Sequence, residues 1–156
     1  MSTARTLICL SLVAALIGCT SAPNPPSTTP APPTEESQRF SLEIRLVGLE
    51  AGRGQVVVAI YGDASSFDEN GRPYESTVLP VEGTEITWAL ELPAGAYAVK
   101  VYQDLDEDGE LDRGDFGVPS EPYGFSNDAR STFGPPSWSA ARFEVASKGQ
   151  HSISLR

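Results

Sequence analysis

Six acidic residues stand two or three positions apart within the twelve residues from Asp104 to Asp115. Carboxylates fall at the first, third, fifth, seventh, ninth and twelfth positions, and glycine is sixth. These residues are Asp104, Asp106, Asp108, Glu110, Asp112, Asp115 and Gly109. This is the spacing of a calcium-binding loop. Like charges repel by about 0.7 kcal/mol per pair at ~6 Å even in water, so a hard divalent cation would explain a compact loop.

The positions in the loop predict how each residue would serve a cation. Each of the first three aspartates would give one oxygen, and Glu110 would give its backbone carbonyl while its side chain faces solvent. Asp112 would bind directly or through water, and Asp115 is shorter than the usual glutamate, so we expect modest affinity. The prediction is a structural Ca²⁺ ion. The alternative is a solvated acidic turn between two strands.

The first eighteen residues read as a secretory signal. An apolar run over residues 7–17 is too short to span a membrane as a permanent helix, and Gly18-Cys19 follows it. The segment 16–19 resembles the bacterial lipobox, in which Cys19 becomes the lipidated N-terminus. Thr20 stands where an inner-membrane retention signal would have aspartate, which favours the outer membrane. The alternative is an ordinary signal peptide cleaved near this point.

Residues 19–38 predict an extended tether that begins at the lipidated cysteine. Six prolines stand there among serine, threonine and alanine, a composition that cannot bury a core. The tether could hold a folded domain up to roughly 60 Å from the lipid. With Cys9 inside the removed segment, no cysteine remains for a disulfide. We expect a cell-envelope protein that faces the periplasm or the cell exterior.

Residues 39–156 predict one all-β domain, because their apolar residues alternate with a period of two. The alternating segments are 40–46, 56–60, 77–81, 86–92, 97–101, 143–145 and 153–155. About seven such strands suggest an antiparallel Greek-key sandwich. The net charge of −10 disfavours nucleic acid as a partner and favours cations, although acidity also provides solubility.

The segment 116–138 is irregular and longer than a compact domain usually tolerates without a role or packing of its own. It holds aromatic residues among prolines and glycines. Tyr123, Phe125, Asn127 and Trp138 are the predicted ligand contacts, because aromatics with an amide suit sugar or peptide recognition. The alternative is that these rings only cap the core. Since residues 97–103 alternate like a strand, the acidic loop 104–115 would follow a strand end, unlike the helix-flanked loop of an EF-hand.

Five segments resemble the bacterial secreted domain family DUF2141. They are Gly54–Tyr61, Leu92–Val99, Asp104–Asp112, Tyr123–Ala129 and Phe133–Pro136. The resemblance covers nearly the whole globular part. It implies a sandwich similar to transthyretin-like or carboxypeptidase-regulatory domains, and it brings no activity with it.

Two roles are consistent with these features. The first is a calcium-stabilised binding or adhesion module for a glycan, peptidoglycan or protein ligand. The second is a structural envelope lipoprotein that acts as a spacer or assembly part. An enzyme is not expected, because there is no free cysteine or Gly-x-Ser-x-Gly motif, and His151, the only histidine, is predicted to be a surface residue of a terminal strand.

Overall fold

Two β-sheets form the protein in the computed structural model, which describes residues 38–114 and 117–156. The strands are β1 (Arg39–Val47), β2 (Gln55–Tyr61), β3 (Glu75–Pro80), β4 (Glu85–Pro93), β5 (Gly95–Asp104), β6 (Tyr123–Phe125), β7 (Phe143–Val145) and β8 (Gly149–Ser154). Two short helices, α1 (Ala64–Asp68) and α2 (Trp138–Ala141), and a 3₁₀ turn (Ser126–Asp128) complete the elements. One sheet has the order β4-β1-β8, and the other has the order β3-β2-β5-β6, with β7 also on β5.

Several predicted segments lie outside the described residues. These are the signal peptide 1–18, the lipidation site Cys19, the tether 19–38 up to residue 37, and Asp115 of the acidic loop. Within residues 38–114 and 117–156, no helix combines the length and the apolar composition that crossing a membrane requires.

The predicted all-β sandwich is confirmed, and every alternating segment lies on a strand except for its last residue in two cases, Val81 and Leu155. The described residues form eight strands rather than about seven, because the segment 116–138 contributes the short strand β6. One pair also departs from the predicted antiparallel order, since β8 runs parallel to β1 with Leu42 opposite Gly149. The strand before β8 pairs with β5 in the other sheet. No hairpin therefore joins β8 to β1, and no tight turn imposes an antiparallel direction.

The inner faces of the two sheets share one apolar core. Ile44 and Leu46 from β1 are fully buried against Val58 and Ile60 from β2, with Val99 from β5 beside them. Each of these strands alternates, so its inward positions form the core. Burial of such side chains contributes roughly 1.5–3 kcal/mol each. The core stabilises the scaffold that carries the loops.

A second apolar cluster covers the outer face of the five-stranded sheet. Tyr61 on β2 and Ala98 on β5 point outward, where they meet Phe67 of α1 and Phe125 of β6. The Phe67 ring is fully buried and lies 5.9 Å from the Trp138 ring of α2 in an edge-to-face arrangement. The irregular segment therefore packs over a sheet face.

The connection between β1 and β2 is fastened to the end of β5. The buried Gln103 side chain accepts the Glu50 N–H at 2.8 Å and donates to the Glu50 and Arg53 carbonyls. Gly54 has a φ of +57°, and a Cβ built there would lie 2.0 Å from the Asp104 carbonyl oxygen. Only glycine permits this approach. This close approach fixes the backbone position of Asp104, the first residue of the acidic loop.

Candidate functional site

Asp104 is the last residue of β5 and the first residue of the acidic loop. Its side chain is fully buried, and its Oδ2 accepts hydrogen bonds from the Gln55 amide and the Gly109 N–H, each at 2.9 Å. Its Oδ1 accepts the Asp108 N–H at 3.2 Å. Gln55 lies directly opposite Asp104 in the β2–β5 ladder. One carboxylate therefore closes the loop on itself and ties it to the sheet.

The hydrogen bonds to Asp104 also set its protonation. Burial alone would raise the pKa of this carboxyl, because the charged form loses water. Donors from the Gln55 side chain and from the Gly109, Glu107 and Asp108 backbone outweigh that effect and hold the pKa of Asp104 below its ordinary value. The carboxylate is therefore ionised at neutral pH, which is the form that a cation requires.

The folded loop brings carboxylates together in two groups that share Asp106. In the first group, oxygens of Asp104, Asp106 and Asp108 lie within 4.8 Å of one another. In the second group, oxygens of Asp106, Asp112 and Glu121 do the same. Oxygens bound to one Ca²⁺ at 2.3–2.6 Å can stand no more than about 5 Å apart. Both groups therefore have the spacing of oxygens around a single ion.

Glu121 is a member of the site that the loop spacing did not predict. It lies beyond the twelve-residue loop, and its residue is only 6% exposed. Its Oε1 accepts the Leu105 N–H at 2.7 Å, and its Oε2 accepts the Asp112 N–H at 3.0 Å. A sequence signal exists, because Glu121 is the only acid between Phe116 and Ser126, within a stretch rich in proline and aromatics.

One predicted ligand, Glu110, stands apart from these groups. Glu110 is exposed and is in neither group, which agrees with a side chain that faces solvent. Its N–H donates to Asp108 Oδ1 at 2.8 Å, a contact that shapes the loop. Asp115 is outside the described residues. The loop begins directly at the end of β5, as predicted for a calcium-type loop on a strand end.

The four predicted ligand contacts do not form one surface. Phe125 is 9% exposed and Trp138 is half-buried, and both belong to the outer apolar cluster. The Asn127 amide donates to the Ala140 and Arg142 carbonyls, so it serves the local fold. Tyr123 is half-buried, and its ring lies 6.0 Å from that of Phe125. The rings are therefore mainly packed against the domain.

Two of these rings nonetheless line a cleft beside the acidic loop. Tyr123 and Phe125 form part of a cavity of about 450 Å³, with Phe133 at its margin. Phe133 is 91% exposed and was not among the predicted contacts. The Gly-Pro-Pro sequence that follows it is the signal that could have identified it, because such a stretch stiffens the backbone around an aromatic residue.

His151 is less exposed than the sequence predicts. It is half-buried on β8, and its ring stacks on Phe143 with centroids 4.1 Å apart. Its Nε2 accepts the Asn127 N–H at 3.1 Å. Burial lowers the pKa of His151, and Asp128 opposes that shift by attracting the charged form. The side chain faces inward because His151 has the same parity along β8 as the buried Ile153.

Comparison with known proteins gives one match. No curated protein and no solved structure matches the chain. The family described as "Uncharacterized protein conserved in bacteria (DUF2141)" matches residues 44–154, which span every strand from within β1 to β8. The matched range includes the acidic loop and Glu121. The chain belongs to the DUF2141 family.

Proposed function

We propose that this protein is a cell-envelope lipoprotein that presents a calcium-stabilised β-sandwich as a binding module. The observation that carries the proposal is the meeting of the Asp104, Asp106 and Asp108 carboxylates with those of Asp112 and Glu121 through their shared member, Asp106. Five carboxylates at this spacing repel one another strongly. A bound cation reverses the sign of that interaction.

Calcium fits this donor set better than other common cations. All the donors are hard oxygens, which suit Ca²⁺ and Mg²⁺, and the groups contain no sulfur or imidazole ligand. Mg²⁺ needs a near-ideal octahedron at 2.0–2.1 Å and keeps several waters, whereas Ca²⁺ accepts six to eight oxygens in irregular arrangements. An anchored Asp104 and a buried Glu121, with exposed aspartates between them, match the more tolerant ion.

The role of the ion in this proposal is structural. An ion held by Asp106, Asp112 and Glu121 would join the acidic loop to the segment that leads into β6, and Asp104 ties the same loop to the sheet. If calcium is near 1 mM and Kd is on the order of 0.1 mM, binding stabilises the domain by roughly 1.4 kcal/mol. That free energy would hold the irregular segment on its sheet.

The envelope part of the proposal rests on the N-terminal sequence. The apolar run that ends in Gly18-Cys19 supports lipid attachment at Cys19, and the proline-rich stretch after it supports a tether. The anchor would lie in the outer membrane, because Thr20 follows the cysteine. Metabolic labelling with a palmitate analogue would test this, with Cys19→Ser as the variant that should lose the label and accumulate as uncleaved precursor.

The ligand of the module would be a glycan, peptidoglycan or a protein of the envelope. The exposed Phe133 ring at the margin of the cleft supports a binding role. The packing of Phe125 and Trp138 within the domain favours the second candidate, a spacer or assembly part that binds no small ligand. A catalytic role is not proposed.

Thermal unfolding tests the metal site. The protein should melt about 5 °C higher in 1 mM CaCl₂ than in chelator. Ionic strength is matched with NaCl, and 1 mM MgCl₂ should reproduce less than half of the shift. Asp106→Asn should remove most of the shift, because Asp106 belongs to both groups. Equal midpoints in calcium and chelator would reject the proposal.

A further inference from the structure

The strand β3 forms an open edge of the five-stranded sheet. Among residues 38–114 and 117–156, β3 pairs only with β2, so one side of its backbone meets no other strand of the described chain. Ser76, Val78 and Pro80 are exposed, and the residues between them are half-buried. An open edge offers backbone donors and acceptors to another strand, and proteins usually protect such edges with charge.

The middle of this edge carries no charge. Residues 76–79 are uncharged and include two β-branched residues, and the Val78 side chain is 53% exposed. The one charged residue of β3 is Glu75, at its first position. The strand β4, an edge of the other sheet, has exposed Glu85 and Glu91 near its two ends. β3 is therefore the less protected of these two edges.

A hydrogen bond just after β3 shows which of its backbone groups are free. The Val81 N–H donates at 3.3 Å to the carbonyl of Gly54, which precedes β2. In an antiparallel ladder the N–H groups alternate between the two sides of a strand, so those of the even-numbered residues point to the open side. Ser76 and Val78 each offer an N–H and a carbonyl there, and Pro80 offers a carbonyl alone. A proline is tolerated at such a position because no ladder bond is lost.

These groups are complementary to those of a second copy of β3. Two β3 strands can lie antiparallel, with Val78 of one copy opposite Val78 of the other. Each Val78 N–H then meets the opposite Val78 carbonyl, and each Ser76 N–H meets the opposite Pro80 carbonyl. Every open-side N–H from Ser76 to Pro80 gains an acceptor in this register.

The side chains favour the same register. The two Val78 side chains would lie side by side on the outer sheet face, next to Val57 of β2 in each copy. On the inner face the half-buried Leu79 would lie opposite Thr77 of the second copy. A register centred on Thr77 would instead set Leu79 opposite the charged Glu75. Apolar groups therefore match best when Val78 is at the centre.

We propose that two copies of this protein associate through β3 and join their five-stranded sheets into one continuous sheet about a two-fold axis. The pairing uses the open side of both β3 strands, so it closes at two copies. Strands of six residues bury less surface than a standard interface, so we expect a weak dimer with Kd on the order of 0.1 mM. This inference depends neither on the metal site nor on a ligand.

The net charge of the chain gives the dimer a salt dependence. Each copy carries a net charge of −10, so two copies repel each other at long range. Salt screens that repulsion, whereas it has little effect on backbone hydrogen bonds and apolar contacts. Association through β3 should therefore strengthen as NaCl is raised from about 0.02 M to about 0.3 M.

Sedimentation equilibrium between about 10 µM and about 1 mM tests the proposal, with calcium and ionic strength held constant. Val78→Lys should weaken association at least about tenfold, because it sets two like charges opposite each other. Thr87→Lys is the matched control, at an exposed threonine in the middle of β4. Both substitutions lower the net negative charge equally, so the control should not weaken association. A melting curve verifies that each variant is folded.

A mixture of two variants tests the two-fold register. Val78→Glu should also associate at least about tenfold more weakly than the wild type. An equimolar mixture of Val78→Lys and Val78→Glu should recover association to within about threefold of the wild type, because opposite charges then face each other. In the wild type, amide exchange of Ser76 and Val78 should slow as the concentration rises, and that of Thr87 should not.

Three results would overturn the proposal. The first is no association up to about 1 mM, and the second is equal weakening by Val78→Lys and Thr87→Lys. The third is a Val78 amide that is already fully protected at about 10 µM, because another part of the same chain would then cover β3. A mixture of Val78→Lys and Val78→Glu that stays monomeric would overturn the two-fold register.

Discussion

Glu121 Oε1 accepts the backbone N–H of Leu105 at 2.7 Å, across sixteen positions of the chain. The contact brings a carboxylate from the irregular segment to the start of the acidic loop. Because the same side chain also accepts the Asp112 N–H, it holds the second and the ninth residue of the loop at once. The acidic loop is therefore held by a residue outside its own twelve positions.

Substitution of Glu121 should weaken calcium binding. Glu121→Gln replaces one oxygen by an amide nitrogen that can neither bind the ion nor accept an N–H. We expect calcium affinity to fall at least about tenfold, and the calcium-saturated variant to be about 1–3 kcal/mol less stable than the calcium-saturated wild type. Calorimetric titration and urea unfolding in calcium measure these changes.

Glu110→Gln is the matched control for that substitution. Glu110 is an exposed glutamate of the loop and is in neither carboxylate group. The variant should bind calcium within about threefold of the wild type, since only long-range charge is lost. If the two variants lose the same affinity, then Glu121 acts only through charge and not as a ligand.

The contact between the β1–β2 connection and Asp104 can be tested by substitution of two glycines in that connection. Gly52 and Gly54 both have a positive φ, but a Cβ at Gly52 meets nothing within 4 Å, whereas a Cβ at Gly54 would overlap the Asp104 carbonyl. Gly52→Ala should cost about 1 kcal/mol, from backbone strain alone. Gly54→Ala should cost at least about 2 kcal/mol more, because the backbone must move.

Calcium affinity provides a second readout for these two variants. Since the displaced backbone carries Asp104, Gly54→Ala should also weaken calcium binding, and Gly52→Ala should not. Urea unfolding in chelator, followed by calcium titration, measures both effects. Equal destabilisation by the two alanines would contradict the close approach at Gly54.

Much of the β scaffold could be predicted from the sequence, because a strand buried on one face has an apolar residue at every second position. Phe40, Leu42 and Ile44 show that period clearly, and they lie on β1. Alternation indicates which face a residue occupies and says nothing about which strand lies beside it. Alternation therefore could not predict the parallel pairing of β8 with β1.

The candidate site was predictable only in part, for a related reason. The spacing that starts at Asp104 identifies ligands within one loop, where the chain path is short. Glu121 comes close to these ligands because the segment after the loop folds back onto it. The spacing of residues within the loop contains no information about that fold. The outer cluster had a local signal, because β2 is apolar at Ala59 and Tyr61 as well as at its inward positions, a pattern typical of a strand buried on both faces.

The hydrogen bonds of Ser126 should contribute more than other polar contacts to holding the irregular segment on the sheet. Its fully buried hydroxyl donates to the Ala141 carbonyl at 2.6 Å and accepts the Val99 N–H at 2.9 Å. Ser126→Ala leaves both backbone groups without these partners, so we expect a loss of roughly 2–4 kcal/mol in urea unfolding. Ser139→Ala, at an exposed serine of α2, should change stability by less than about 0.5 kcal/mol. A loss below about 1 kcal/mol for Ser126→Ala would mean that the segment is held by its rings alone.

Stability should depend on pH through His151. Burial lowers the pKa of His151 in the folded protein, so the unfolded chain binds more protons between the folded pKa and the unfolded value of about 6.5. The stabilisation is present above about pH 6.5 and is lost as the pH falls through the folded pKa. Protonation also removes the Nε2 lone pair that accepts the Asn127 N–H.

His151→Gln isolates this effect, because glutamine offers an acceptor that does not titrate. Urea midpoints in chelator between pH 8 and pH 5 should fall more steeply for the wild type than for the variant. The interval stays above the ordinary pKa of the carboxylates. Parallel curves for the two proteins would show that His151 titrates freely in the folded state.

The most direct test of the metal site is a calorimetric titration of the wild-type protein with CaCl₂ at pH 7.5 and 0.15 M NaCl. The two carboxylate groups that share Asp106 predict saturable binding of one ion per chain, with Kd on the order of 0.1 mM. A titration with no heat beyond dilution, repeated at two temperatures so that a zero enthalpy is not mistaken for no binding, would contradict the account.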